Sequence, residues 1–310
     1  MLRNHDSPDF NRRDFIWAGA ALLASSSLAP SEGTQKSATP PKGEPTRFQV
    51  ACMTLPYSGY PLQRALTGLQ QAGYRFVAWG TNHMEADGKK TPIVAPDATP
   101  DHAKQISRRC RDLGLEPVMM FSGVYPDAPN HLEVMKNRLL QAEAAGISQL
   151  LTFGNPDPKR SDRKHWVEQF KTLGRVARDH GVLIVVKQHG GLSASGVMTM
   201  EIIRAVADEG VKLNYDAGNV MDYLHLDPAV IATDIEHCSS EVRSFCIKDH
   251  RRFPKDEDCG PGLGEIDHYR LLAPIAFSGR ALPLCCENIF APVVPRPSTP
   301  EGIDAFARRA

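Results

Sequence analysis

Residues 182–191 read VLIVVKQHGG and residues 211–220 read VKLNYDAGNV. In both stretches a short run of apolar, mostly β-branched residues ends in polar residues and glycine. This pattern is typical of a strand buried in a parallel sheet and followed by a loop. Similar runs recur along the chain after residue 47, so the sequence predicts eight strands. They span residues 48–54, 74–80, 116–122, 149–155, 182–189, 211–216, 242–249 and 282–288.

Amphipathic stretches separate these runs, which predicts repeated strand–helix units. Clear helical patterns cover residues 62–72, 132–145, 166–180 and 200–209, and each is followed by a glycine suited to end a helix, namely Gly73, Gly146, Gly181 and Gly210. The repeat of about 30 residues suits a closed (β/α)8 TIM barrel. The rival fold is an open doubly wound sheet, which the sequence disfavours because no G-x-G-x-x-G follows the first run.

The N-terminal region predicts export rather than a folded domain. Arg12 and Arg13 precede a short apolar run, and residues 1–29 resemble a twin-arginine signal, which implies the export machinery and a periplasmic location. The alternative is an amphipathic helix. Residues 30–46 are rich in Pro, Ser, Thr and Lys and predict a disordered linker, which leaves residues 47–310 for the barrel.

Composition narrows the ligand class. The 310 residues carry 36 basic and 36 acidic side chains, so no net field attracts nucleic acid or an anionic membrane. The seven cysteines are scattered and predict neither a disulfide framework nor a zinc knuckle. A small, weakly charged ligand fits this composition best.

The predicted strands end in unusually polar residues. In a TIM barrel the active site is built from the carboxyl ends of the strands, so these side chains should meet in one pocket. The candidates are Trp79, His83, Asn155, Lys187, His189, Asp216, Asn219, Lys248, His250 and Glu287.

Four stretches make residues 47–310 resemble the sugar phosphate isomerase/epimerase superfamily of xylose isomerase-like barrels. They are NYDAGN at 214–219, IKD at 247–249, GPGLGEID at 260–267 and CEN at 286–288. The resemblance implies a divalent metal held by a Glu, an Asp, a His and a Glu from the last four strands. Asp216 and Glu287 match two of these ligands, whereas Lys187 stands in place of the first Glu and Cys246 in place of the His.

Lys187 changes the expected electrostatics, since exchanging a carboxylate for an ammonium reverses a unit charge beside the metal. Three interpretations remain open. The ammonium could replace the metal beside Asp216 and Glu287, or a Mn, Zn, Co or Mg ion could move toward His189, Asp216, His250 and Glu287. The protein could also bind sugar without turning it over. Cys246 is expected to be a core residue, with a zinc-binding thiolate as the alternative.

The chemistry that the resemblance implies is proton abstraction next to the carbonyl of a sugar or keto-sugar, with an isomerase or lyase outcome. Glu287 is the expected base, with its pKa raised toward neutrality, and Lys187 with His189 would stabilise the oxyanion. The remaining candidates, Lys248, His250, Asn155, Trp79, His83 and Asn219, would contact substrate.

Two other functions compete with this one. A non-catalytic carbohydrate-binding barrel could stack Trp79, Tyr125 and Tyr223 on sugar faces. A nuclease of the endonuclease IV type is opposed by the zero net charge and by the small number of His and Glu ligands.

Overall fold

A computed structural model describes residues 43–310, and eight parallel strands of this region close into a barrel. The barrel strands are β1 (Arg47–Met53), β2 (Phe76–Trp79), β5 (Glu116–Phe121), β6 (Gln149–Phe153), β7 (Leu183–Lys187), β8 (Val211–Tyr215), β9 (Val242–Ile247) and β12 (Ala281–Cys286). Neighbouring strands pair in the order β1-β12-β9-β8-β7-β6-β5-β2. Every predicted strand is present, and the closed sheet confirms the TIM barrel.

Helices follow the strands around the outside of the barrel. They are α1 (Leu62–Gln71), α2 (Pro100–Asp112), α3 (His131–Ala145), α4 (Arg163–Asp179), α5 (Gly196–Val206), α6 (Ala217–Leu224), α7 (Pro228–Cys238), α8 (His268–Leu272) and α9 (Pro300–Ala307). Gly146 ends α3 in the left-handed conformation, as predicted. Gly210 does not end α5, because Ala207 takes that role. Glycine is needed at 210 because a Cβ there would clash with the backbone of Gly174.

Strand residues alternate between two apolar layers. Ala51, Ala78 and Val185 belong to the cluster inside the barrel, whereas Val77 and Val186 belong to the larger cluster between strands and helices. Lys187 lies two residues after Val185 on the same strand, and its side chain therefore points into the barrel.

Two antiparallel hairpins extend the strand ends. The first joins β3 (Asn82–Met84) to β4 (Lys90–Pro92), and the second joins β10 (Asp249–Arg251) to β11 (Glu257–Cys259). They follow the second and seventh barrel strands, so both lie at the end of the barrel where the site is expected.

The predicted signal, residues 1–29, lies outside the described residues, as does most of the predicted linker. The end of that linker is tied to the barrel, since the backbone N–H of Thr46 donates to the Ala276 carbonyl at 2.8 Å. Within residues 43–310, no helix combines the length and the apolar composition that a bilayer crossing requires.

Candidate active site

Lys187 is the centre of an ion cluster at the carboxyl ends of the strands. Its Nζ donates to both oxygens of Glu287, at 2.8 and 2.9 Å, and lies 3.2 Å from Oδ2 of Asp216. Lys187 and Asp216 are almost fully buried, with 3% and 0% of their side chains exposed, whereas 16% of Glu287 is exposed. The ammonium therefore lies between the two carboxylates that match the family's metal ligands.

A second ammonium adjoins the first. Lys248 Nζ donates to Asn219 Oδ1 at 2.5 Å and to Asp258 Oδ2 at 2.7 Å, and it lies 3.7 Å from Glu287 Oε2. The Asn219 side-chain amide in turn donates to the Gln188 carbonyl at 2.6 Å. Asn219 thus positions Lys248, which follows β9, by linking it to Gln188, which follows β7 on the other side of β8.

The two carboxylates of the cluster have opposite pKa shifts. Burial raises the pKa of Asp216 to about 6, although Lys248 and Lys187 oppose this effect. Burial alone would also raise the pKa of Glu287, but Lys187 and Lys248 outweigh it and hold that pKa at about 2. The expectation that Glu287 has a raised pKa is therefore wrong, because its direct bonds to Lys187 stabilise the ionised form.

Lys187 remains an ammonium in this environment. Burial would lower the pKa of Lys187, but Glu287, Cys246 and Asp216 raise it well above its ordinary value. The contact with Asp216 is ionic rather than a hydrogen bond, since Asp216 Oδ2 accepts no hydrogen bond from the described residues. An ammonium has three N–H donors, and Glu287 occupies two of those of Lys187. The third donor has only the 3.2 Å ionic contact with Asp216, so it is the one that a ligand oxygen would engage.

His189 lies beside this cluster as a neutral imidazole. Its Nδ1 is 2.9 Å from the Gly154 carbonyl oxygen, which can only accept, so Nδ1 carries the proton and Nε2 has a free lone pair. Burial lowers the pKa of His189, and the charge of Lys187 lowers it further. The ring packs against Phe153 and Tyr223, with centroids 4.7 and 5.4 Å away.

The loop after β7 explains how His189 reaches Gly154. Gly190 and Gly191 have φ angles of 70° and 52°, in the left-handed region that favours glycine. A Cβ on Gly191 would also clash with the carbonyl oxygen of Asn155. The two glycines therefore let the loop turn tightly against the neighbouring strand end.

The donors that could hold a metal form two separate groups within residues 43–310. One comprises Asp216, Cys246 and Glu287, and the other Asp222, His250 and Asp256. The predicted ligand set of His189, Asp216, His250 and Glu287 therefore does not come together. His250 instead has one ring nitrogen 3.0 Å from Asp258 and the other 2.9 Å from Asp256.

The first group does not fit a divalent ion while Lys187 is charged. The ammonium already lies within 3.2 Å of both carboxylates and would repel a metal placed between them. The third donor, Cys246, is a buried thiol, because burial raises its pKa well above the ordinary value. Cys246 also belongs to the apolar cluster inside the barrel, as expected for a core residue.

Three predicted substrate contacts make structural contacts, and of these Trp79 also borders the cavity at the strand ends. Trp79 is 1% exposed and belongs to the layer between strands and helices, beside Cys110 of α2. His83 is also buried, and its Nδ1 is 2.9 Å from the Tyr60 carbonyl oxygen. Asn155 closes its own loop, where its Oδ1 accepts from the Asp157 N–H at 3.0 Å.

A cavity of about 380 Å³ opens at the ends of β2, β5 and β6. Phe121, which lines it, also contacts the cluster, since Lys187 Nζ lies 5.8 Å from the centre of the Phe121 ring. Tyr125, Phe153 and Arg138 also line the cavity. None of the three was among the polar strand-end residues that the sequence predicted for the catalytic centre. Arg138 lies on α3, where its position on the buried face with Met135 and Ala142 is the signal that could have identified it.

A parallel eight-stranded barrel with a buried ion cluster and an adjoining cavity at the carboxyl ends of its strands has the architecture of a TIM-barrel enzyme. The sequence profile of the xylose isomerase-like TIM barrel family matches residues 67–309, and the chain belongs to this family.

Several solved structures share the fold. D-Psicose 3-epimerase with D-tagatose from Clostridium cellulolyticum H10 is 12% identical, with a TM-score of 0.61 over 84% of this chain and 96% of that chain. The IOLI protein with a zinc atom is 16% identical, with a TM-score of 0.62 over 84% and 95%. A xylose isomerase-like TIM barrel/4-hydroxyphenylpyruvate dioxygenase fusion protein is 18% identical, with a TM-score of 0.61; 85% of this chain is covered but only 41% of that protein. No curated protein sequence matches the chain.

Proposed function

We propose that the protein is a sugar isomerase/epimerase-type enzyme that acts on a keto-sugar by proton abstraction next to the carbonyl, with an isomerase or lyase outcome. The observation that carries the proposal is the Lys187 ammonium, held charged by the carboxylates of Asp216 and Glu287 at the barrel mouth. Family membership and the epimerase structure containing D-tagatose support a sugar substrate.

Lys187 is assigned the role of electrophile. Its available N–H would donate to the substrate carbonyl oxygen and stabilise the negative charge that develops there when the neighbouring C–H proton leaves. Asp216 and Glu287 keep the ammonium charged and fixed in position. In this scheme no divalent metal takes part, because the ammonium stands where the metal would bind.

His189 is assigned the role of base. A base works best with a pKa near the operating pH, and a carboxylate with a pKa of about 2, like Glu287, is too weak. The Nε2 of His189 has a free lone pair, and the nearby charge of Lys187 lowers the pKa of the ring. It would take the proton from carbon and return it to a neighbouring carbon or to the leaving group.

Solvent exchange tests the proposal without requiring knowledge of the product. The protein is incubated in D2O with a panel of ketoses, and deuterium incorporation next to the carbonyl is followed by NMR. The Lys187→Met substitution should lower the exchange rate about 10²–10³-fold. The His189→Gln substitution should lower it about 10²–10⁴-fold.

Lys212→Met is the matched control. Lys212 is also a buried lysine, paired with Glu241 at 2.6 Å, but it lies at the start of β8, away from the cavity. Its replacement should leave the exchange rate unchanged. Full exchange activity in a folded Lys187→Met protein would contradict the assignment.

The second candidate function is sugar binding without turnover. Tyr125 favours it, because this ring lines the cavity and is 38% exposed. Saturable sugar binding with no deuterium incorporation into any ketose would support this function over the enzyme.

We also propose that residues 1–29 direct the protein to the periplasm through the twin-arginine machinery. The adjacent arginines before a short apolar run support this location.

A further inference from the structure

Arg138 is the charged residue of the cavity wall. The other residues that line the cavity are apolar, aromatic or neutral polar side chains, among them Thr81, Asn82 and Phe121. The guanidinium therefore faces this space without a neighbouring carboxylate in the cavity lining.

Three hydrogen bonds hold Arg138 in place. Its Nε donates to the Ser122 carbonyl at 2.9 Å, and Nη1 donates to the Val94 carbonyl at 2.8 Å and to Gln141 Oε1 at 2.9 Å. Nη2 donates no hydrogen bond to a described residue and lies toward Gly123, which also lines the cavity. The Nε and Nη1 groups are thus fixed by hydrogen bonds, whereas Nη2, on the edge that faces the cavity, has no hydrogen-bond partner among the described residues.

Arg138 also has no ion-pair partner. Only 5% of the residue is exposed, and it forms no ion pair with any residue between 43 and 310. Burial lowers the pKa of Arg138 to about 10, an effect that the charge of Asp97 opposes, so the group remains charged at neutral pH. Proteins seldom bury a charge without a partner, which indicates that a ligand supplies the partner.

The ion cluster, whose residues do not themselves line the cavity, does not offer this attraction. There the charges of Lys187 and Lys248 are opposed by those of Asp216, Glu287 and Asp258. An anion entering the cavity would therefore be drawn toward Arg138. Phe121 links the two regions, since it lines the cavity and its ring centre lies 5.8 Å from Lys187 Nζ.

We propose that Arg138 binds an anionic group, a carboxylate or a phosphate, carried by the substrate at the end remote from Lys187. Nη2 is the primary donor, and a guanidinium suits either oxyanion because its N–H groups match two oxygens of such a group. The placement of the reacting end near Lys187 rests on the proposed function, whereas the anion site stands on Arg138 alone. The substrate class is then a sugar acid or a sugar phosphate.

Calorimetric binding of D-fructose, D-fructose 6-phosphate and 5-keto-D-gluconate tests this site and distinguishes the two anions. At least one of the two anionic sugars should bind about ten- to a hundredfold more tightly than the neutral sugar, the range expected for a charged hydrogen bond. The Arg138→Gln variant should lose that preference, while Arg138→Lys should retain part of it. Arg111→Gln is the control, since Arg111 is paired with Glu116 outside the cavity lining and its loss should leave the preference intact.

The Asn82→Asp variant covers the possibility that Arg138→Gln fails to fold. It adds a negative charge to the cavity lining without removing any of the three hydrogen bonds of Arg138, and it should also abolish the preference for anions. Equal binding of neutral and anionic sugars by the natural protein, or a preference that survives in both Arg138→Gln and Asn82→Asp, would overturn the inference. Preference for an anion without deuterium exchange would instead count against the proposed function and leave the anion site standing.

Discussion

Replacing Lys187 by Glu should convert the ion cluster into a metal site. The change removes the ammonium that lies 2.8 Å from Glu287 and 3.2 Å from Asp216 and puts a third carboxylate beside them. Three carboxylates around one point in a buried site repel one another strongly, and a divalent cation relieves that repulsion. The variant should therefore bind an ion such as Mn²⁺ that the natural protein binds weakly.

The size of the effect follows from the charges. Two unit charges 4 Å apart interact by about 1 kcal/mol even with the full screening of water. A divalent ion doubles this value, and reversing the sign of residue 187 doubles it again, so the swing is at least about 4 kcal/mol. That corresponds to about a thousandfold in the dissociation constant, and the low dielectric of a buried site makes it larger.

Metal content and thermal stability are the measurements. Protein purified without chelators should contain stoichiometric metal in Lys187→Glu and little in the natural protein, and added Mn²⁺ should raise the melting temperature of the variant only. Lys187→Met is the control, because it removes the positive charge without supplying a ligand. A folded Lys187→Glu protein that binds no metal, or stoichiometric metal in the natural protein, would refute the reasoning.

Three further predictions test other parts of the structure. Glu287→Gln should lower the free energy of unfolding by about 3 kcal/mol at pH 7. Because folding lowers the pKa of Glu287 from 4.5 to about 2, the loss should be complete above pH 4.5 and should vanish as the pH falls toward 2. Urea unfolding at several pH values measures this difference. Trp79→Ala should cost about 3–5 kcal/mol of stability through the core void it creates, which urea unfolding can also measure. Residues 1–46 fused to a reporter should be exported in a folded state, and replacing both Arg12 and Arg13 by Lys should retain the reporter in the cytoplasm; export that persists after this change would contradict the twin-arginine signal.

The sequence predicted the barrel well because every strand leaves the same local signature. Each apolar run ends in polar or glycine residues, and the runs at β7 and β8 both stop within two residues of the predicted ends. The signature is strong because both faces of a barrel strand are buried, so the whole run is apolar.

The same physics explains why the sequence does not show which way the Trp79 side chain points. When both faces are buried, the apolar pattern does not show which residues point inward, and a shift of one residue exchanges the two faces. Trp79 follows the interior residue Ala78 by one position and points outward, whereas Lys187 follows Val185 by two and points inward. A polar residue at a strand end is therefore a candidate for the site. Whether its side chain points into the site depends on which face of the strand it occupies.

The two departures from the family's metal ligands are physically linked. A divalent ion requires anionic or neutral donors around it. When Lys187 takes the place of the ion, it supplies only one positive charge to the two negative charges of Asp216 and Glu287. Lys248, 3.9 and 3.7 Å from these two carboxylates, supplies the second positive charge. With the charge balanced by two ammonium groups, a ligand at position 246 is no longer needed, and a buried neutral thiol fills the space beside Lys187 where a histidine would otherwise bind the metal. Lys187 and Lys248 thus place two positive charges beside Asp216 and Glu287, as many as the divalent metal implied by the sequence resemblance would carry.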